Sequence, residues 1–498
     1  MPVPPAPPVV CLAAGEGTRM RSGTPKVLHE IGGRSLLGHA LATARGVDPA
    51  HLVVVVRHQR ELVAAHVADL DPAAVVADQD EVAGTGRALE CGLEALPDDL
   101  DGTVVVTMGD VPLLEPATLQ QLLAAHAEAV AAVTIMTAVL PDPSGYGRVL
   151  RDETGAVTAV VEHKDATAEQ RAIAEVNSGV YAFDAQVLRS ALGDVGTDNV
   201  QGEKYLTDVV GIARARGLTV RAHLVHDIWQ TEGVNDRAQL ARLGGELNRR
   251  LLDRWMRAGV TVVDPASTWV DVGATLEPDV TLLPGTQLHG DTSVGGGATV
   301  GPDTTLRDVV VGAGATVVRT HGIGARIGAG ASVGPFAYLR PGTELDEGAK
   351  VGTYVETKNT HLGPGAKIPH LSYVGDATIG EGTNIGAGTI TANYDGVSKH
   401  RTVVGRHCKT GSDNVFVAPV EIGDGAMTGA GTVVRSDVAP GALAVSAGAQ
   451  RSLDGWVARK RPGSRGDQAA REALDRGGAQ SSRPAATGPV AHNEERHA

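Results

Sequence analysis

Aromatic residues are scarce in this chain: Trp 4, Tyr 7 and Phe 3 among 498 residues, or 3%. A conventional core for a chain this long buries many more rings, so much of the interior has to be small and aliphatic. Cysteine is scarcer still. Cys11, Cys91 and Cys408 are odd in number and far apart, which excludes a disulfide framework or cysteine zinc site and predicts a reducing, cytoplasmic setting. No apolar run approaches the roughly 18 residues of a spanning helix. The opening Met1-Pro2-Val3-Pro4-Pro5 lacks the basic and apolar segments of a secretory signal. Positive charge is also short, with Lys+Arg 44 against Asp+Glu 58 and a formal charge of -14. Nucleic acid and membrane are therefore not expected partners, although a few local cations would suffice for a small phosphorylated ligand.

What the chain has in excess is glycine, 64 residues in all, against a usual share of about 7%. Residues 1–255 hold 24 of them and the shorter stretch 256–450 holds 34, so the composition changes near the middle. Before that change, short apolar runs alternate with helix-like segments. Val9–Ala13, Leu52–Val56, Val104–Thr107 and Val133–Thr137 read as buried strands; Leu36–Ala44 and Arg87–Leu96 carry helical patterning. The alternation predicts βαβ units around a mostly parallel sheet, a Rossmann-like α/β domain. Leu240, Leu243, Leu247 and Leu251 then recur at three- and four-residue steps, predicting an amphipathic connecting helix.

Past the helix, aliphatic residues head six-residue units: Val270, Leu276, Leu282, Leu288, Val294, Val300 and Leu306. The period returns at Ile327, Val333, Leu339, Leu345 and Val351, and again at Ile379, Ile385, Ile422 and Val434. Hexapeptide spacing predicts a parallel β-helix whose heads point into a narrow prism while small residues turn its corners. β-Helices of this type are left-handed. The expected division is an α/β domain at 1–237, a helical linker at 238–259, a hexapeptide β-helix at 260–458, and a disordered tail at 459–498 rich in Arg, Gly, Ser, Pro and Ala.

Two constellations carry chemistry. Leu12-Ala13-Ala14-Gly15-Glu16-Gly17-Thr18-Arg19 follows the first strand, where glycine lets phosphate approach backbone N–H groups and Arg19 and Lys26 add positive charge. Met108-Gly109-Asp110 follows another strand, placing Asp110 at the carboxyl end of the sheet; it is either a magnesium-holding acid or a solvated turn residue. In the second half the repeat breaks around Thr357–Tyr373 and Thr391–Arg401, which predicts loops carrying His370, Tyr373, Asn393 and Tyr394. A histidine there is either a general base or an ordinary solvated side chain.

Together with Gln79, Gly84-Thr85-Gly86, Gly145-Tyr146-Gly147-Arg148, Glu162, Asn177 and Glu232-Gly233-Val234-Asn235, the first constellation resembles the sugar-nucleotide pyrophosphorylases. The motifs Pro25–His29, Gly109–Leu114, Val161–Ala166, Tyr205–Asp208, Leu339–Gly342, Pro369–Tyr373 and Asn393–Gly396 narrow the match. From Val9 through Trp456 the chain resembles the bacterial bifunctional N-acetylglucosamine-1-phosphate uridylyltransferase and glucosamine-1-phosphate acetyltransferase family.

That resemblance implies two activities supplying UDP-N-acetylglucosamine for the bacterial envelope. UTP would lie over Leu12, Ala13, Ala14 and Gly15 and contact Gln79, Gly84 and Thr85. N-acetylglucosamine-1-phosphate would meet Gly147, Glu162, Asn177 and Asn235, with Mg2+ on Asp110 and Asn235 and charge neutralised by Arg19 and Lys26. In the β-helix, His370 would be the base for acetyl transfer. Arg340 and Lys358 would take the glucosamine-1-phosphate group, and Tyr373, Asn384 and Lys399 would line the acceptor site. Ala387, Asn393, Tyr394, Ser412 and Ala430 would contact acetyl-CoA, at a site assembled between subunits of a homotrimer. The chain departs from some relatives at Ala447 (arginine there), Met108 (tyrosine there) and Glu16, an acid in the phosphate loop. Residues alone leave open a single-activity pyrophosphorylase with a structural or regulatory β-helix, or a non-enzymatic scaffold.

Overall fold

The computed structural model describes residues 6–446, 448 and 450–478. Its first half is a twisted sheet with Val9–Leu12 near the centre. In order across the sheet run Val220–Leu224, Val133–Val139, Glu175–Asp184, Thr103–Met108, Val9–Leu12, Leu52–Val56 and Val75–Asp78. Glu175–Asp184 runs antiparallel to both neighbours, and the other neighbouring pairs are parallel. An antiparallel flap, Arg148–Arg151 with Val157–Val161, hangs from the Glu175–Asp184 strand.

Strand alternation sends side chains to two cores. Val10, Leu12, Val53 and Val104 pack with Leu89, Leu93 and Val209 on one face; Val9, Cys11, Val54 and Val105 pack with Leu37, Leu41 and Leu119 on the other. Helices thus cover both faces, as a sheet apolar on both sides requires. Because the first strand sits between Thr103–Met108 and Leu52–Val56, the chain reverses its winding there and opens a crevice beyond the strand ends.

The helix Arg237–Arg257 joins the halves, capped where the Asp236 side chain accepts from Gln239 N–H. Its buried Asn248 clamps the first coil of the second half: Nδ2 donates to Thr268 O at 2.8 Å and Oδ1 accepts from Val270 N–H at 3.0 Å. The Val272 N–H in turn donates to Gly32 O of the α/β domain at 2.9 Å.

From Thr261 the chain winds into a left-handed parallel β-helix. Thr281 lies beside Thr299, Thr299 beside Thr316, Thr316 beside Ser332, Ser332 beside Lys350 and Lys350 beside Lys367, all parallel. The aliphatic heads form one continuous core, Val270 through Val434. Coils approach so closely that a Cβ on Gly328 would sit 2.6 Å from Leu345 O. Buried threonines, unforeseen from the sequence, stand beside the heads in two columns; Thr286 and Thr389 in one and Thr292 and Thr343 in the other each donate to a carbonyl three residues earlier at 2.7 to 2.8 Å. Hydroxyls thereby occupy carbonyl oxygens that the corners leave open.

Two expectations are corrected. The break at Thr357–Tyr373 is not a loop: Glu356–Leu362 and Tyr373–Ile379 are paired strands from Glu356↔Tyr373 to Leu362↔Ile379. The coil is merely one residue shorter there, since Tyr338 pairs with Glu356 but Glu356 with Tyr373. Asn359 and Asp376, with φ of 44° and 50°, turn the corner within these strands. Asn393–Arg401, by contrast, does leave the ladder between strands Ile390–Ala392 and Thr402–Val404.

The last paired strand is Leu443–Ala444, and Ser446 onward forms a separate unit. There the expectation of disorder from 459 is corrected over its first part, because helices form at Trp456–Lys460 and Arg465–Gly478. Ala469, Ala470, Ala473 and Leu474 are strong helix formers, and Arg471 pairs with Asp467 at 3.0 Å. Residues 479–498, and Ala447, lie outside the described residues. Among the described residues, no helix is long and apolar enough to cross a membrane.

Since Leu306 is fully buried in the β-helix core, Leu306→Ala should cost about 2–5 kcal/mol. Urea unfolding followed on the β-helix should show a lower midpoint while the α/β domain unfolds as before.

Candidate functional sites

The crevice at the sheet's carboxyl edge is a cavity of about 480 Å³ lined by Leu12 to Glu16, Lys26, Arg57, Gln79, Gly84, Thr85, Met108, Asp110 and Glu203 among others. Two strand ends build its floor: Leu12 pairs with Met108, and Gly109 N–H donates to Leu12 O at 2.9 Å. This places Asp110 directly over the glycine loop. Lys26 forms an ion pair with Asp110, both side chains being mostly buried. Arg19 NH2 donates to Asn235 Oδ1 at 2.9 Å, and Val234 N–H donates to Asp110 O at 2.9 Å, holding the segment bearing Asn235 against the acid.

Asp110 and Asn235 offer only oxygen, one carboxylate and one carboxamide, which suits a hard ion that completes its shell with phosphate and water. Among the described residues no cluster of three or more His, Cys, Asp or Glu side chains could hold a metal unaided. A metal here would depend on the ligand's phosphates.

Next to the loop, Gln79 Nε2 donates to Val82 O at 2.9 Å and Gly84 O at 3.2 Å, fixing the turn before the Thr85–Glu94 helix. That turn is locked to a second segment: Gly86 N–H donates to Lys204 O at 2.8 Å and Lys204 N–H to Ala83 O at 2.9 Å. Gly84 has a φ of 118°, and a Cβ there would lie 2.2 Å from Lys204 O. Glycine is therefore required by both backbone conformation and space.

The flap brings the sugar-binding candidates together. Asn177 N–H donates to Gly147 O at 2.9 Å, and a Cβ on Gly147 would come within 3.5 Å of Glu162 Oε1. Burial lifts the Glu162 carboxyl above its ordinary range, opposed by the Thr207 hydroxyl that donates to it at 3.1 Å. Beneath the flap Arg148 is 1% exposed; its guanidinium donates to Tyr146 O and, at 3.3 Å, to Arg171 O.

Arg57, Met108 and Glu203 also face this cavity, and Arg57 and Glu203 were not anticipated from sequence. Arg57 immediately follows the Leu52–Val56 strand, so the strand-end rule that singled out Asp110 would have found it. Glu16 is exposed and lines the same cavity.

On the β-helix, a second group gathers around the Tyr373–Ile379 strand. Arg340 pairs with Glu356 at 2.9 Å, and Lys358 with Asp376 at 3.5 Å. Asn393 Nδ2 donates to Asp376 Oδ2 at 2.5 Å and to the Tyr373 hydroxyl at 3.4 Å. The Lys358 side chain beside it holds Lys399 below the ordinary lysine range. Tyr394 is 60% exposed on the projecting loop.

His370 is exposed at the end of the Lys367–His370 strand. Its carbonyl accepts from Gly388 N–H at 3.2 Å, and up the same corner Ala387 O accepts from Asp413 N–H at 2.7 Å and Ser412 O from Gly431 N–H at 2.8 Å. Ala387, Ser412 and Ala430 thus continue the edge on which His370 stands. Asn384 is not with the others: it pairs with Lys367 and Lys409 on another face from Tyr373, whose neighbours are Glu356 and Ile390.

A model of the MobA-like NTP transferase domain matches residues 9–175. Over nearly its whole length the chain is similar to proteins named bifunctional protein GlmU. Identity is 62% with that of Pseudarthrobacter chlorophenolicus, covering 96% of this chain and 97% of the relative. It is 62% with that of Kineococcus radiotolerans, covering 94% and 95%, and 59% with that of Micrococcus luteus, covering 93% and 96%.

Gly84→Ala tests the first site's geometry. The Cβ should displace the Lys204 backbone at a cost of about 1–3 kcal/mol, weakening UTP binding by roughly tenfold or more in calorimetry. Circular dichroism should be unchanged.

Proposed function

Because the chain belongs to the bifunctional GlmU family, we propose the following division of labour between its two sites. The protein is a bifunctional enzyme that makes UDP-N-acetylglucosamine. Its β-helix transfers the acetyl group of acetyl-CoA to glucosamine-1-phosphate; its α/β domain joins the uridylyl group of UTP to N-acetylglucosamine-1-phosphate and releases pyrophosphate. The observation that supports the residue assignment is the separation of two built clusters on one chain, a nucleotide-sized cavity at the sheet's switch point and a basic cluster of Arg340 and Lys358 on the β-helix, with His370 on a corner of the same prism.

In the first site, the loop from Leu12 to Gly15 faces the triphosphate, with the N–H groups of Ala14 and Gly15 beyond the last sheet hydrogen bond, and Gln79, Gly84 and Thr85 take the base. Gly147, Glu162 and Asn177 hold the sugar so that its phosphate oxygen attacks the α-phosphorus in line, with pyrophosphate leaving opposite. Lys26 and Arg19 hold positive charge where negative charge accumulates, which is most of what phosphoryl-type transfer asks of a protein. Mg2+, when bound, neutralises and orients the phosphates, and Asp110 and Asn235 are the residues that would hold it.

In the second site, Arg340, Lys358, Lys399 and Tyr373 bind the sugar phosphate. His370 removes a proton from the glucosamine nitrogen as that nitrogen attacks the thioester carbonyl; the C–S bond breaks and CoA leaves as the thiol. Asn393, Tyr394, Ala387, Ser412 and Ala430 hold the acetyl donor. That Asn384 and Tyr373 occupy different faces of one prism supports an acceptor site built from neighbouring copies, in keeping with a homotrimer. The exposed Phe336, Tyr354 and Leu371 give the β-helix an apolar surface for such packing, with Phe336 and Tyr354 stacked at 5.2 Å. The scarce, separated and buried cysteines fit a cytoplasmic enzyme.

His370→Ala should lower acetyl transfer by about 10²–10⁴-fold and leave uridylyl transfer intact. Asp110→Ala should do the reverse, by about a hundredfold or more. Coupled assays for CoA and pyrophosphate read the two activities separately. Loss of both activities in a folded His370→Ala trimer would contradict two independent sites, and no acetyl-CoA consumption by the intact protein would leave a single-activity pyrophosphorylase.

A further inference from the structure

Asp376 lies at the middle of the acetyl-transfer cluster. It is 7% exposed, and its φ of 50° puts the backbone in the left-handed region. Aspartate is one of the few residues besides glycine that adopts that region readily. Both carboxylate oxygens are engaged. Oδ1 accepts from Asn359 Nδ2 at 2.8 Å, and Oδ2 accepts from Asn393 Nδ2 at 2.5 Å and from Lys358 Nζ at 3.5 Å. Burial opposes its charge, but these donors overcome burial and leave the carboxyl below the usual range. One acid therefore touches a residue on the sugar-phosphate side, Lys358, and one on the acetyl-CoA side, Asn393.

Two physical consequences follow from an ionised acid at this point. A carboxylate only accepts hydrogen bonds, so the Asn393 amide must present its nitrogen to Asp376. The Asn393 carbonyl then points away from the acid, available as an acceptor for a ligand N–H. The second consequence concerns charge. Lys358 and Lys399 are in side-chain contact, with Lys358 held above and Lys399 below the ordinary lysine range. Two ammonium groups this close push one of them toward the neutral form, which attracts phosphate less. Asp376 is the carboxylate that offsets one of the two. The other groups facing the pair are Arg340, which acts on Lys399 and is itself paired with Glu356 at 2.9 Å, and the Tyr373 side chain; the Asp395–His400 pair at 2.7 Å lies on the loop that bears Lys399.

We propose that Asp376 is a positioning residue for acetyl transfer: it keeps the Lys358–Lys399 pair charged for the sugar phosphate and fixes the Asn393 amide beside the acetyl donor. The proposal rests on the assignment of Lys358 and Lys399 to the acceptor phosphate given above.

The test uses the full-length enzyme and its Asp376→Asn variant, with acetyl-transfer kcat and the KM for glucosamine-1-phosphate measured from about pH 6.5 to 9.5. Removing the negative charge lowers the pH at which the lysine pair loses a proton. The alkaline rise in acceptor KM should therefore begin about one pH unit lower in the variant. The KM for acetyl-CoA should rise severalfold, and uridylyl transfer should not change. Titration of the substrate's own amine and phosphate is common to both proteins, so the difference between the profiles reads the lysine pair. A fall in kcat with an unmoved KM profile is what a merely structural role would give, and it would overturn the proposal.

If the variant does not fold, competitive amine labelling of the unmodified enzyme, read by peptide mass spectrometry across pH, decides the matter. One lysine of the pair should become reactive at lower pH than the other; simultaneous titration of both at the ordinary lysine value would overturn the proposal. Lys358→Ala separates the two layers. If it leaves acceptor KM unchanged, the site assignment fails and the proposal with it. If it raises acceptor KM while the Asp376→Asn profile stays put, the proposal alone fails.

Discussion

Backbone pairing from one coil to the next is the constraint on which the second half of this molecule depends. Each short strand finds its hydrogen-bond partner one coil away, as Thr281 does in Thr299 and Thr299 in Thr316. That spacing fixes the width of the prism, and the width leaves no room for rings among the aliphatic heads, Phe416 being a buried exception. It also brings corners into backbone contact, which is why glycine and threonine replace aromatic residues. Because every interior position is consumed by this packing, chemistry is confined to the outside: the corner carrying His370, the strand carrying Tyr373, and the loop after Ala392.

The α/β half places its chemistry by a different rule. There the first strand lies between its neighbours so that the chain reverses direction of winding, and the glycine loop and Asp110 meet at the resulting crevice. The site is preassembled through mutual neutralisation. Lys26 lies on Asp110 and Arg19 on Asn235, so in a chain of charge -14 the cations are held locally at the crevice. The β-helix cluster repeats the device with Arg340 on Glu356 and Lys358 on Asp376. Both sites hold their cations on carboxylates rather than leaving them in solvent.

The hexapeptide heads were legible because a period of six repeats many times, and the strands at Val9, Leu52, Thr103 and Val133 because buried parallel strands are unbroken apolar runs. Asp110 and the glycine loop were legible from their place after such runs. Arg57 obeys the same rule but has no glycine or acid beside it to draw attention. The coil at Glu356–Tyr373 was misread as a loop because losing a single residue disturbs the sequence period while leaving the hydrogen-bond ladder intact. Asp376 was invisible for a related reason: its partners Asn359 and Asn393 are remote in sequence and meet it only through stacking of coils. The helix at Arg465–Gly478 was hidden by the Arg, Gly and Ser around it, although its alanines and the Asp467–Arg471 pair favour helix locally.

Two complete chemistries on one chain is the central claim, and the products settle it most directly. Mass spectrometry of the purified protein incubated with glucosamine-1-phosphate, acetyl-CoA, UTP and Mg2+ should find UDP-N-acetylglucosamine together with free CoA and pyrophosphate. Unacetylated UDP-glucosamine, or pyrophosphate release without any free CoA, would contradict it.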